Sequence, residues 1–131
     1  MKTSTYWKHD QVFESRQKDN SILIDGNTNE GISPKALLLS GLAGCTGIDV
    51  TEALKKMRVS FSDLSIEAEA EQTDEHPRVF KDIYITYSVR TDAANEDKVL
   101  KAINLSLEKY CGVSAMLKKN SAIYPKLQLV E

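Results

Sequence analysis

The sequence predicts a mixed fold of short strands and helices organised around one long apolar helix. Three observations lead there. A glycine-punctuated apolar stretch covers residues 36–50, directly behind Ser33-Pro34. Residues 64–71 and 83–89 alternate or carry β-branched and aromatic side chains in the manner of strands. Residues 95–110 repeat apolar positions at helical spacing, with Val99, Ile103, Leu107 and Tyr110 close to one face.

Three short β-like runs open the chain, at residues 2–7, 11–16 and 21–25, with polar breaks at residues 6–10 and 18–20. Asp25-Gly26-Asn27 reads as a turn and residues 27–31 as a polar loop. Ser33 then offers an N-cap and Pro34 the first helical position. The helix is expected to reach about Met57, where Lys55, Lys56 and Arg58 suit its negative end. The polar connection Thr73-Asp74-Glu75-His76-Pro77-Arg78 between residues 64–71 and 83–89 makes those two strands an antiparallel pair. Gly112 marks a break, residues 113–119 a short further helix, and residues 123–130 a last strand. No repeat, low-complexity tract or internal boundary divides residues 1–131, so a single domain is expected.

Net charge is −2 and 27% of residues are charged, which argues against both disorder and a nucleic-acid partner. The N-terminus has no apolar run behind its first lysine, and the 36–50 stretch is shorter than the about 20 residues of a bilayer span. The two cysteines, Cys45 and Cys111, form neither a Cys-x-x-Cys nor a secreted disulfide framework. A soluble cytoplasmic protein with no membrane partner is the expectation. His9 and His76 lie in separate polar segments, so neither a metal site nor a cofactor is expected.

A helix apolar nearly all round must be buried on all sides, and a small chain has few elements to wrap it. Gly41, Gly44 and Gly47 each cost about 1 kcal/mol relative to Ala in a helix interior, which some close approach should offset. The same helix from a second copy is the simplest partner, and a homodimer is expected.

The residues of that helix, Ser33-Pro34 and then Leu37-Leu38-Leu39-Ser40-Gly41-Leu42-Ala43-Gly44-Cys45-Thr46-Gly47-Ile48-Asp49-Val50, resemble the central-helix motif of the OsmC/Ohr family. Glu108-Lys109-Tyr110-Cys111-Gly112-Val113 and His76-Pro77-Arg78-Val79-Phe80 are similar to later segments of the same family, in the same order. The resemblance covers about Asp25 to the C-terminus, in particular with the short YhfA-like subgroup. It implies an α+β fold of antiparallel sheets around a long buried central helix, in an intertwined homodimer. It also implies a thiol peroxidase: Cys45 attacks an organic hydroperoxide, Cys111 resolves the sulfenic acid, and an external dithiol reduces the disulfide.

The residues are consistent with that chemistry in part. A thiolate opens the O–O bond, and a second thiol within disulfide reach condenses with the sulfenic acid. An apolar site suits organic hydroperoxides but raises the thiol pKa, so an activating cation is required. The family pattern adds an arginine in the loop before the helix and a glutamate after the proline. Here Lys35 follows Pro34, residues 25–34 hold no arginine, and the nearest upstream is Arg16. Lys35 lies ten residues before Cys45, about 15 Å along one helix, so it can serve only the cysteine of a second copy. Asp49, four residues after Cys45, shares its face, and an unpaired carboxylate there raises the thiol pKa further. Cys111, beside Gly112, is expected at a helix N-terminus that favours a thiolate. The alternative reading is a catalytically silent dimer of this fold that binds an apolar small molecule or has a structural role.

Overall fold

The computed structural model describes residues 1–131, which divide into two compact units, Met1–Leu39 and Ser40–Glu131. In the first, strands β1 (Ser4–His9), β2 (Val12–Gln17) and β3 (Asn20–Asp25) form an antiparallel meander. The expected break at residues 6–10 is narrower than the sequence suggested. Tyr6 and Trp7 are strand residues paired with Glu14 and Phe13, and Asp10 at φ 45° lets a tight turn reverse the chain. Lys18, at φ 55°, does the same between β2 and β3.

The polar loop after β3 is organised by one buried carboxylate. Asp25 accepts backbone hydrogen bonds from Asn27 (2.8 Å), Asn29 (3.1 Å) and Glu30 (3.0 Å). These donors, Asn27 foremost, hold its carboxyl below the ordinary carboxylate range. Gly31 passes so close to β3 that an added Cβ would stand 2.5 Å from the Leu23 carbonyl oxygen, which only glycine permits. The helix α1 (Pro34–Lys56) then begins, with the Ser33 carbonyl accepting the Leu37 N–H at 3.1 Å. Its bounds match the expected start at Ser33-Pro34 and end near Met57.

In the second unit, β4 (Ser62–Gln72), β5 (Phe80–Arg90) and β6 (Ile123–Val130) form a sheet with β5 in the middle. The β4–β5 pair is antiparallel, as the connecting segment predicted, and β6 joins β5 in parallel. Ile83, Ile85, Tyr87 and Val89 project from one face of β5 and are buried. On its other face Tyr84 stacks on Tyr124 with centroids 5.4 Å apart.

Along α1 the buried side chains are Leu42, Thr46, Val50 and Leu54, one stripe at four-residue spacing. The expectation of burial on all sides is therefore corrected for the single chain. Ile48 is 67% exposed and Leu38 50%, and a Cβ added at Gly41 or Gly44 meets nothing within 4 Å. Of the three helix glycines only Gly47 has a close neighbour, Ile66 Cδ1, at 3.1 Å from such a Cβ. The helix has 23 residues, longer than the apolar stretch read from sequence, and meets a bilayer crossing by length and composition alone.

The second amphipathic segment is not one continuous α-helix. A 3₁₀ turn (Ala93–Asn95) capped by Asp92 leads into α2 (Glu96–Leu105), then a π-helical turn (Ser106–Tyr110), then α3 (Gly112–Leu117). Val99, Ile103 and Leu107 are buried as expected, but Tyr110 is 60% exposed. The wider π turn advances less angle per residue than an α turn, so Tyr110 falls off the buried face. The break also sits one residue earlier than Gly112, at Cys111, whose backbone is extended (φ −76°, ψ 102°). Two sheets and a long helix make this an α+β chain.

Candidate redox site

Cys45 stands midway along α1, half-buried, and Cys111 is the buried N-cap of α3; both are free thiols. The π turn sets the second of these. Its wide ring closes with the Cys111 N–H donating to the Ser106 carbonyl at 2.7 Å, five residues back. The two sulfurs and a carboxylate oxygen of Asp49 lie within 4.8 Å of one another. The fold thus gathers both predicted cysteines, and with them the residue one helical turn beyond Cys45.

Burial and the neighbouring Cys45 thiol push the Cys111 thiol above its ordinary value. The Ser114 backbone N–H, 3.3 Å from Cys111 Sγ, and the Ser114 hydroxyl pull the other way and lose. The expected helix N-terminus is present, but its favourable donor does not decide the balance. No cation is among the groups acting on Cys111.

Asp49 shares the Cys45 face, as its spacing predicts, and it is paired. Its Oδ2 lies 2.9 Å from Ser106 Oγ, which lies 2.7 Å from Thr46 Oγ1, which lies 2.8 Å from Tyr87 Oη. Ser106 Oγ is the donor toward both Asp49 Oδ2 and Thr46 Oγ1, so its single proton is shared between the two acceptors. Burial raises the Tyr87 phenol to about 12, so Tyr87 remains a donor at neutral pH. Thr46, Ser106 and Tyr87 escaped the sequence reading. Their signal was a hydroxyl on the buried stripe of each of three amphipathic elements, where an apolar residue is the norm.

Asp49, Ser106 and Tyr110 also line a groove of about 480 Å³ shared with Met57, Ala102 and Leu105. Of the proposed activating cations, Arg16 is exposed on β2, where its guanidinium bonds the Glu14 carboxylate and lies 5.0 Å from the Tyr6 ring centroid. Lys35 is half-buried in the first turn of α1. Both belong to the first unit, whereas the thiols belong to the second. His9 lies 3.3 Å from both Asp10 and Glu30 at the surface, and His76 is exposed. A histidine-free trio, Cys45, Asp49 and Cys111, is close enough to share one ion, a grouping that the histidine positions did not suggest.

The profile of the OsmC-like protein family matches residues 26–126. The chain belongs to the OsmC-like family. Within it, the protein YhfA of Escherichia coli K12 is 36% identical over 101 residues, which are 76% of this chain and 75% of that one. A hypothetical protein from Aquifex aeolicus VF5 superposes with a TM-score of 0.88 at 27% identity, covering 98% of this chain and 95% of that one. The organic hydroperoxide resistance protein OhrB of Bacillus subtilis superposes with a TM-score of 0.65 at 18% identity, over 97% of this chain and 96% of that one. That last likeness establishes the OsmC-like fold alone. Family membership agrees with the resemblance read from the central helix.

Proposed function

We propose that this OsmC-like chain is a thiol peroxidase that reduces organic hydroperoxides through Cys45 and Cys111. The observation that carries the reading is two free thiols whose sulfurs lie within 4.8 Å, one of them only half-buried. The hydroperoxide resistance named for OhrB supports the substrate class. Cys45 is the more accessible sulfur and takes the first step: it attacks the terminal peroxide oxygen, loses its proton, and releases the alcohol. The sulfur is oxidised to a sulfenic acid and the peroxide is reduced. Cys111 then attacks that sulfur, water leaves, and a disulfide forms; an external dithiol returns both thiols.

The test is intact mass with alkylation before and after one equivalent of cumene hydroperoxide. Loss of both thiols with a drop of about 2 Da per chain, the two hydrogens of a disulfide, is the expected result. Two thiols that persist through prolonged exposure sink the assignment.

In this reading residues 1–131 act as one cytoplasmic domain in a homodimer, with Lys35 of one copy as the cation for the other's Cys45. The open helix stripe at Gly41, Gly44 and Ile48 supports a second copy rather than lipid as the covering surface. The same helix carries Asp49 and ends in Lys55 and Lys56, groups that a bilayer core penalises. Sedimentation should give a dimer for the wild type. Gly41→Glu, at a position where an added Cβ has nothing within 4 Å, should shift it toward monomer; a dimer unaffected by that change rules this surface out.

A further inference from the structure

We propose that Cys45, Asp49 and Cys111 form a binding site for one thiophilic divalent cation of the zinc and cadmium class. The ligand atoms lie within 4.8 Å of one another, and a metal–sulfur distance of about 2.3 Å in tetrahedral geometry requires them to be about 3.8 Å apart. Two sulfurs and one carboxylate oxygen are a soft to borderline donor set, which selects zinc or cadmium over magnesium or calcium. Cys45 and Asp49 are four residues apart on one rigid helix, so two of the ligands are held in register before any ion arrives.

The surroundings are those of a ligand set rather than of a chance cluster. Ser106 Oγ, 2.9 Å from Asp49 Oδ2, fixes the carboxylate, and the Ser114 N–H, 3.3 Å from Cys111 Sγ, orients that sulfur. Asp49 also lines the groove of about 480 Å³, so the carboxylate side of the set faces open space. Bound as two thiolates and a carboxylate, the set carries three negative charges, two of which a divalent ion offsets. Both thiols lose their protons on binding, so two protons leave per ion and the sulfurs stay reduced.

Ion and disulfide exclude each other, because sulfurs bonded together cannot both serve as thiolate ligands. This site stands apart from the peroxidase reading, since it needs no peroxide and no turnover.

The experiment titrates the chelator-treated full chain, reduced with a non-chelating phosphine, with cadmium while the ultraviolet sulfur-to-cadmium charge-transfer band is followed. Zinc is titrated by calorimetry in two buffers of different ionisation enthalpy. One ion per chain, about two protons released, and micromolar or tighter affinity are expected. Cys45→Ser and Cys111→Ser should each weaken binding at least 100-fold, and Asp49→Asn about 10-fold or more. The disulfide form should bind no ion. Absence of the charge-transfer band, an unchanged band in the disulfide form, or wild-type affinity in Asp49→Asn overturns the proposal. The first two readouts use the unaltered sequence, so a variant that fails to fold leaves the test intact. Metal binding without peroxide consumption would count against the peroxidase alone, and the reverse result against this site alone.

Discussion

Cys45→Ser is expected to lower hydroperoxide turnover by at least about 1,000-fold, because the one other thiol in the site, Cys111, is buried with its pKa raised and has no second sulfur to resolve its sulfenic acid. Cys111→Ser should behave differently. It keeps the first step and loses the second, so one equivalent of peroxide should leave a sulfenic acid at Cys45, trapped by dimedone and seen by mass. The pH dependence separates the steps further. The Cys111 thiol is held above its ordinary value of 9.0, so less of it is thiolate at neutral pH than in a free cysteine. Disulfide closure in the wild type should therefore accelerate as pH rises toward and past that value. Retained multiple turnover in Cys45→Ser, or closure independent of pH, contradicts the roles given to these residues.

Ser106→Ala is expected to destabilise the chain by about 1–3 kcal/mol in urea unfolding, far more than removal of one small side chain suggests. Ser106 Oγ is the link between the Asp49 carboxylate and Thr46, and Thr46 in turn satisfies the Tyr87 phenol inside the core. Removing the link leaves a carboxylate oxygen and a buried hydroxyl short of a partner. Thr46→Val should show the same loss from the other side, and the double variant should lose less than the sum of the two. That non-additivity is the signature of one connected network. Additive losses, or a Ser106→Ala loss under about 0.5 kcal/mol, show that the hydroxyls act separately. The network also anchors the π turn, since the Ser106 carbonyl receives the Cys111 N–H.

Much of the site was visible in the sequence because its signals are local. Ser33-Pro34 starts a helix wherever the chain goes, since the missing proline N–H and the capping carbonyl are properties of those two residues. The strand alternation of residues 64–71 and 83–89 likewise needs only period two, and both strands formed with the expected antiparallel pairing. The two cysteines stood out by their setting within the central helix and beside a glycine. What failed was inference across turns and faces. Lys8 and His9 looked like part of a break, yet β1 runs on to His9 and the positive φ of Asp10 shortens the turn, a conformation that no spacing rule announces. Tyr110 fitted a helical stripe that assumes 3.6 residues per turn, and one π turn was enough to move it off the face.

The sequence by itself determined the order of elements, the long apolar helix, and the family to which the chain belongs. Those depend on backbone propensity and on patterns within a few residues. Only the tertiary structure decided that Asp49 joins Cys45 and Cys111, that it is paired through Ser106 to Thr46 and Tyr87, and that Cys111 is held protonated by burial. Each of these depends on distances between residues far apart in the chain. Electrostatic and hydrogen-bond energies are steep functions of distance and of burial, and neither quantity exists until the helix, the sheet and the π turn are packed.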